Sequence, residues 1–217
     1  MNPETNPHMQ QPVLSLGAPF KDARQVMILL HGRGASAESI LSLAAEFDAP
    51  DTHFLAPQAH QYRWYPQSFL SPIERNEPDL SNALERVDAL LKRLVSSGKA
   101  LDQIILAGFS QGACLASEYV IRNPRRYAGL IVLSGGWIGP QTMQRSAVAD
   151  LDGLPVFIGC SDIDQHIPLS RVEETASLFA SMNARVDLQI YSGMEHTVNA
   201  DEISRINNLL KQTVKAG

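Results

Sequence analysis

Cysteine is scarce in this sequence, and long runs of apolar residues are absent. The only two cysteines, Cys114 and Cys160, are too few for a disulfide framework and have no Cys/His spacing typical of a metal site. The densest apolar runs, 26–30 and 104–107, have the length of a strand, whereas a bilayer span needs roughly 18 to 20 apolar residues. We therefore expect no disulfide scaffold, no stable membrane insertion, and a reducing, cytoplasmic location.

Basic residues are also fewer than acidic ones. The chain has 18 lysines and arginines against 23 acidic residues, which gives a net charge of −5 and a pI near 5.6. This balance opposes binding to nucleic acid and to anionic lipid surfaces. The first twelve residues contain neither a positive patch nor an apolar segment, so we expect no signal peptide and a flexible N-terminal arm over residues 1–12. The composition leaves the oligomeric state open, with a homodimer as one alternative.

What is present is an ordinary globular composition in 217 residues, with 44% hydrophobic and 19% charged residues, which favours one folded domain over residues 13–217. Apolar runs of strand length alternate with helix-period segments. This alternation predicts an α/β fold with a mostly parallel sheet and helices on both faces. The predicted strands lie near residues 13–16, 26–31, 53–56, 103–108, 128–133, 155–159 and 186–191, and the predicted helices near 36–47, 80–97, 111–122, 169–182 and 201–215.

Two long segments, 57–79 and 135–155, have no clear periodicity. Structureless loops of more than about 12 to 15 residues are uncommon in compact domains and are often functional. We therefore expect both segments to border a substrate cleft.

The segment Gly108–Gly112 reads Gly-Phe-Ser-Gln-Gly, a G-x-S-x-G motif placed directly after a predicted strand and directly before a predicted helix. This context is typical of a nucleophile elbow, in which a strained turn exposes the serine at the helix N-terminus. A chance match in a glycine-containing loop is the alternative. The motif and its context predict Ser110 as the nucleophile of a serine hydrolase.

A serine nucleophile needs a general base and an acid that orients the base. Of the two histidines after Ser110, His196 follows the last strand, whereas His166 lies too close to the candidate acid. The loop 160–168 offers Asp162 and Asp164, and spacing alone does not choose between them. Glu195, next to His196, is expected to be a solvated surface carboxylate.

The turn His31-Gly32-Arg33-Gly34 follows the first strong strand and is typical of a loop that donates a backbone N–H to an oxyanion. The predicted donors are the amides of Arg33 and Gln111. The same turn also spells G-x-G-x-x-A over 32–37, a dinucleotide-binding fingerprint. That alternative needs an acidic residue at the end of the next strand, where Pro57 and Gln58 stand instead.

Five segments occur in one order: LLHGRGAS at 29–36, LAPQA at 55–59, GFSQGA at 108–113, CSDIDQHIPL at 160–169 and YSGMEH at 191–196. From about residue 24 to the C-terminus the chain resembles the phospholipase/carboxylesterase family, which includes bacterial carboxylesterases and acyl-protein thioesterases. The resemblance implies an α/β-hydrolase fold without a large lid, no cofactor, and Asp164 as the acid, four residues before Pro168. It also implies activity on short- to medium-chain esters, through a Ser110-His196-Asp164 triad and an acyl-enzyme, or on thioesters.

Two departures from the family pattern bear on substrate binding. Arg33 stands where many members have leucine, and its guanidinium either favours a substrate with a carboxylate or points to solvent. Trp64-Tyr65-Pro66 stands where thioesterases show Trp-Phe-Asp, and the two aromatics either wall the substrate pocket or serve packing. A non-catalytic binding protein on a hydrolase scaffold is the alternative from another functional class.

No metal site is predicted. The remaining histidines have no i, i+4 or His-x-His pairing, and the two cysteines are expected to be small buried residues rather than reactive thiols. The histidines in question are His8, His53 and His60.

Overall fold

The computed structural model of the protein describes residues 6 to 216. Within them lie seven strands, β1 (Val13–Gly17), β2 (Gln25–Leu30), β3 (Thr52–Pro57), β4 (Ile104–Phe109), β5 (Gly129–Leu133), β6 (Pro155–Ser161) and β7 (Arg185–Tyr191). The same residues form five α-helices, α1 (Ala37–Ala44), α2 (Asp79–Ser96), α3 (Gln111–Arg122), α4 (Leu169–Ser181) and α5 (Ala200–Ala216). Each predicted strand and helix is present, and α1 ends three residues before the predicted boundary.

The seven strands form one sheet in the order β1-β3-β2-β4-β5-β6-β7. The edge strand β1 is antiparallel to β3, and every other neighbouring pair is parallel. Because parallel strands need long crossovers, each connection from β2 to β7 returns through a helix or a long loop. The predicted α/β architecture is confirmed.

Helices cover both faces of the sheet, and the alternation of side chains in β2 separates the two layers. Val26, Ile28 and Leu30 pack into a core with apolar residues of α2, α3 and α4. Met27 and Leu29 pack into a second core with apolar residues of α1 and α5. All six residues of β2 are buried, as expected for a central strand covered on both sides.

The carboxyl ends of β2, β4, β6 and β7 meet at one edge of the sheet, because these strands are parallel. The loops that follow them include the segments at 31–36, 110, 162–168 and 192–199. Ligands of open α/β sheets bind outside the carboxyl ends of the strands. The fold therefore brings all the candidate functional segments to one edge.

The predicted arm lies partly outside the described residues. Residues 6–12 lie against α2, where the Asn6 side chain donates to the Asn82 carbonyl and to Glu85, at 2.9 Å each. Arg86 in turn donates to the carbonyl of Gln11 at 2.9 Å. Across residues 6–216, no helix combines the length and the apolar character that a membrane crossing requires.

Candidate active site

Ser110 occupies a sharp turn between β4 and α3. Its backbone has φ 54° and ψ −119°, a conformation that non-glycine residues seldom adopt. The amide of Ser110 donates to the Leu133 carbonyl at 2.9 Å, which fixes the turn against the end of β5. The predicted elbow geometry is present, and it places the serine side chain at the N-terminus of α3.

The two glycines of the motif are required by close approach of the backbone. A Cβ on Gly108 would lie 2.4 Å from the carbonyl carbon of Gly112, and a Cβ on Gly112 would lie 2.0 Å from the Leu30 carbonyl oxygen. Both distances are far below van der Waals contact. Any larger residue at either position would push the helix away from the sheet and move Ser110.

His196 and Asp164 form a close hydrogen-bonded pair, with 2.6 Å between Nδ1 of the ring and Oδ2 of the carboxylate. The Asp164 side chain is fully buried, and that of His196 is 21% exposed. A carboxylate at Nδ1 makes that nitrogen the donor and leaves Nε2 free to accept a proton. The second oxygen of Asp164 accepts from the amides of His166 and Ile167 at 2.8 and 3.0 Å.

These contacts determine the ionisation of Asp164. Burial alone raises the pKa of this carboxyl, but the hydrogen bonds from His196 and from the two loop amides outweigh it and hold the pKa below its usual value. The group is therefore an anion at neutral pH. A buried anion at Nδ1 stabilises the protonated imidazole that forms when a histidine acts as a base.

Asp162, the other candidate acid, lies elsewhere. Its two oxygens accept from the Gly193 amide at 2.8 Å and from the Ser192 hydroxyl at 3.0 Å. It therefore connects the loop after β6 to the loop after β7, which contains His196. The geometry favours Asp164 as the partner of His196 and gives Asp162 a role in positioning that loop.

Ser110, Gln111, Arg33 and His196 all line one cavity of about 470 Å³. This volume is within the usual range for small-molecule sites. Among the described residues, the amides of Arg33 and Gln111 have no hydrogen-bond acceptor, so both can donate to a ligand oxygen. Gln111 is the first residue of α3, where the helix dipole also favours negative charge.

The side chain of Gln111 has a second, structural contact that the sequence does not reveal. Its Oε1 accepts from the Trp64 amide at 2.9 Å, and its Nε2 donates to the Tyr65 carbonyl at 2.8 Å. The Trp64 indole donates to the His31 carbonyl at 2.9 Å. These bonds connect the elbow, the loop after β3 and the loop after β2.

His8, from the predicted arm, completes this network. The His60 amide donates to Nδ1 of His8 at 3.0 Å, so Nε2 bears the proton and donates to the Trp64 carbonyl at 3.2 Å. His8 is 2% exposed, and burial lowers its pKa to about 4. It is therefore neutral at neutral pH. Residues 31, 60 and 64 have ring or backbone contacts here that no local sequence pattern indicates.

Of the two aromatic residues in the loop after β3, one borders the cavity and the other serves packing, which are the two roles that the sequence left open. Tyr65 lines the cavity, and Trp64 lies behind it, fully buried between the rings of His8 and His31 at centroid distances of 5.5 and 5.1 Å. Segment 57–79 thus borders the cavity, whereas residues of 135–155 are not among those that line it. The second segment supports the first, because the Gly139 amide donates to the Phe69 carbonyl at 2.8 Å.

The remaining candidates take supporting positions. His166 is exposed and stacks edge-on against His196 at 4.8 Å, and Glu195 is exposed as expected. Both cysteines are buried, and burial raises the pKa of each thiol to about 12. In the described part of the chain, no cluster of three or more His, Cys, Asp or Glu side chains could hold a metal ion.

The dinucleotide-binding alternative lacks its acidic residue. Strand β3 ends at Pro57, and the next residue is Gln58, whose side-chain oxygen accepts from the Ala37 amide at 2.9 Å. The amide at the start of α1 is therefore already occupied by a glutamine. A pyrophosphate at this helix N-terminus would have to displace that contact.

Comparison with known proteins gives a consistent result. The family model for phospholipase/carboxylesterase matches residues 13–214. The phospholipase/carboxylesterase from Dyadobacter fermentans has a similar structure, with a TM-score of 0.87 and 38% identity over 93% of this chain and 97% of that one. Esterase PE8 gives a TM-score of 0.76 and 25% identity over 94% and 98% of the two chains.

Among characterised sequences, the chain is similar to acyl-protein thioesterase 1 of Saccharomyces cerevisiae. The two are 25% identical over 225 residues, which cover 94% of this chain and 99% of the yeast protein. The resemblance predicted from the five sequence segments is confirmed. This chain therefore belongs to the phospholipase/carboxylesterase family of α/β-hydrolases, enzymes that hydrolyse ester bonds.

Proposed function

We propose that the protein is a serine carboxylesterase that hydrolyses short- to medium-chain carboxylic esters through a triad of Ser110, His196 and Asp164. The observation with most weight is the 2.6 Å hydrogen bond between the buried Asp164 and His196, which lines the same cavity as the strained turn at Ser110. A serine hydroxyl is a weak nucleophile alone, and this pair supplies the oriented base that it needs.

In the proposed first step, Ser110 Oγ attacks the acyl carbonyl while Nε2 of His196 takes the hydroxyl proton. Asp164 holds the ring in the tautomer that leaves Nε2 unprotonated, and it stabilises the imidazolium that results. The amides of Arg33 and Gln111 donate to the oxyanion. Loss of one such donor typically costs about 2.7 to 4 kcal/mol of transition-state stabilisation.

The imidazolium then protonates the leaving alcohol, and the acyl-enzyme remains on Ser110. Water, deprotonated by His196, attacks this ester, and the acid is released with the serine restored. Each proton thus moves between His196 and an oxygen of the substrate, water or Ser110. The proposed substrate contacts are Tyr65 and the Arg33 side chain, while Trp64 acts through its packing against His31.

A thioesterase is the second proposal, for which the similarity to acyl-protein thioesterase 1 of yeast is the specific support. Sulfur and oxygen esters share the tetrahedral intermediate, so the same groups serve both reactions. Matched butyryl esters with an oxygen and a sulfur leaving atom separate the two, because a thioesterase turns over the sulfur ester with the higher kcat/KM.

The test of the triad uses p-nitrophenyl acetate, butyrate and octanoate with the wild type, Ser110→Ala and Ser117→Ala. Ser117 is a matched control in the same helix, buried and bonded to the Ala113 carbonyl at 2.9 Å. We expect Ser110→Ala to lose at least about 10³-fold in kcat and Ser117→Ala to stay near wild type. Equal activity of the wild type and Ser110→Ala would falsify the nucleophile assignment, and an inert wild type would favour the non-catalytic binding protein.

A further inference from the structure

The Arg33 side chain lies over the wall of the cavity. Its guanidinium carbon is 5.9 Å from the centroid of the Tyr65 ring, and its terminal nitrogens donate to the carbonyls of Pro66 and Gln67 at 2.8 and 2.5 Å. Tyr65, Pro66 and Gln67 line the same cavity as Ser110. Arg33 is at the same time solvent-exposed, so its guanidinium lies at the rim of the cleft.

This guanidinium has no acidic partner among the described residues. The residues that line the cavity include no aspartate or glutamate, and the ion pairs of the described chain do not include Arg33. Some arginines of the described chain pair, as Arg145 does with Glu118 at 2.7 Å and Arg205 with Asp201 at 2.7 Å, and others, like Arg33, do not. What distinguishes Arg33 is its place, because it brings a positive charge to a cavity lining that contains no carboxylate.

The surroundings of Arg33 shift its pKa but leave it charged. Burial lowers the pKa of Arg33, Tyr65 opposes this decrease, and the nearby cation Arg63 adds to it. An arginine nevertheless stays protonated in proteins, so the side chain keeps its positive charge. A bound anion would form a charge-assisted hydrogen bond with it.

The carbonyl contacts orient the group without neutralising it. A guanidinium has five N–H donors in a planar fork, and the two contacts with Pro66 and Gln67 leave three donors for a ligand. A fork of this kind matches a carboxylate, and an oriented side chain loses less conformational entropy on binding. One uncompensated cation also matches the single charge of a carboxylate.

We infer that the preferred substrates are esters with a free carboxylate, which pairs with the Arg33 guanidinium at the rim of the cleft. This inference rests on the proposed esterase function and specifies its substrate class. The carboxylate lies on the acyl or the alcohol part of the ester, and the rest of the substrate occupies the cavity between Tyr65 and His196.

The first experiment compares mono-p-nitrophenyl adipate with its neutral methyl ester, and para-acetoxybenzoate with para-acetoxybenzamide. The two members of each pair differ in charge at nearly constant shape. The adipates vary the charge on the acyl part of the ester, and the acetoxy compounds vary it on the alcohol part. The proteins are the wild type, Arg33→Gln, Arg33→Lys and Arg126→Gln. Arg126 is an exposed control that pairs with Asp152, outside the lining of the active-site cavity.

For at least one pair we expect the wild type to prefer the anionic ester by roughly 10-fold or more in kcat/KM, mainly through a lower KM. Arg33→Gln should reduce this ratio to about one, Arg33→Lys should keep part of it, and Arg126→Gln all of it. The inference is overturned if the wild type has no anionic preference. It is also overturned if Arg33→Gln lowers kcat/KM by the same factor for both esters of each pair, since Arg33 would then serve only to hold the loop.

A binding measurement separates this inference from the proposed reaction. Calorimetric titration of Ser110→Ala with monoethyl adipate needs no turnover, and the comparison is the double variant Ser110→Ala/Arg33→Gln. If Ser110→Ala binds monoethyl adipate and the double variant does not, the carboxylate site is supported even if the wild type hydrolyses no ester. Equal binding, or none, by both variants refutes the site even if neutral esters are hydrolysed.

Discussion

Two sides of the cleft differ in how their loops are held. On the side of the proposed oxyanion donors, the loops after β2 and β3 are fixed by buried groups, with His8 2%, His31 0% and Trp64 0% exposed. On the side of the histidine, Asp162 and the residues 192–193 that it binds are exposed, although the side chain of Asp164 is fully buried.

The difference has a physical reason in the two roles. An oxyanion donor must be in position before charge develops, and a rigid, buried network provides this at no cost of reorganisation during the reaction. The histidine must exchange protons with serine, leaving group and water, and a ring that is 21% exposed can do so. We therefore expect substitutions on the buried side to lower both stability and reaction rate. Substitutions on the histidine side should lower mainly the rate.

The largest effect is expected at the two neighbouring aspartates of the histidine side. Asp164→Asn should lower kcat by roughly 10³- to 10⁴-fold, because the amide favours the wrong tautomer of His196. Asp162→Asn keeps one oxygen for the Gly193 amide and replaces only the acceptor of the Ser192 hydroxyl, so we expect a loss of about 10-fold or less. Steady-state kinetics with p-nitrophenyl butyrate measure both. A greater loss in Asp162→Asn would transfer the role of acid to Asp162.

The next largest effect is expected from a substitution on the side of the cleft where buried groups fix the loops. His8→Ala leaves the His60 amide and the Trp64 carbonyl without their partner, which should lower the free energy of unfolding by roughly 2 to 4 kcal/mol. It should also lower kcat several-fold, because Trp64 positions Gln111. His53→Ala is the matched control, since His53 bonds the Ala18 carbonyl at 2.8 Å away from the cleft. Urea unfolding and kinetics together test this, and a stability loss with unchanged kcat would limit His8 to a structural role.

The smallest expected effect is on the pH dependence of stability, at Glu202 on the histidine side of the cleft. Glu202 is buried, and its Oε2 accepts from the Asn199 amide at 2.8 Å. Its Oε1 has no hydrogen-bond partner among residues 6–216. Burial raises the pKa of Glu202 to about 7 from an ordinary value of 4.5. The folded protein therefore binds the extra proton between these values, so this group makes stability decrease as pH rises from about 4.5 to 7.

Glu202→Gln removes this ionisation and keeps an oxygen for the Asn199 amide. We expect the variant to exceed the wild type by roughly 2 to 3 kcal/mol at pH 8, and the advantage to disappear near pH 4.5. Denaturant unfolding at both pH values measures the difference, with the exposed Glu195→Gln as control. The same difference between variant and wild type at both pH values would contradict a raised pKa.

Sequence patterns predicted the elements well where each element has its own local signal. Strand β2 is apolar from its second residue onward, α2 repeats its apolar residues every three or four positions, and the Gly-Phe-Ser-Gln-Gly motif requires a tight turn. They did not predict the contacts of residues 8, 64 and 111, which join segments about 50 residues apart. A single side chain that bonds a distant backbone group leaves no periodic trace in a sequence.

The sequence by itself determined the strands and helices in their order along the chain, the position of the serine turn and the prediction of His196 rather than His166, because these depend on periodicity, glycine geometry and chain order. The local pattern left Asp162 and Asp164 both open, and the family resemblance implied Asp164. Only the tertiary structure showed that Asp164 bonds His196, that Trp64 is buried while Tyr65 lines the cavity, and that Arg33 bonds the carbonyls of Pro66 and Gln67. In each case two nearby positions or orientations satisfy the same local pattern. The decision depends on which atoms other loops of the fold bring within hydrogen-bond distance.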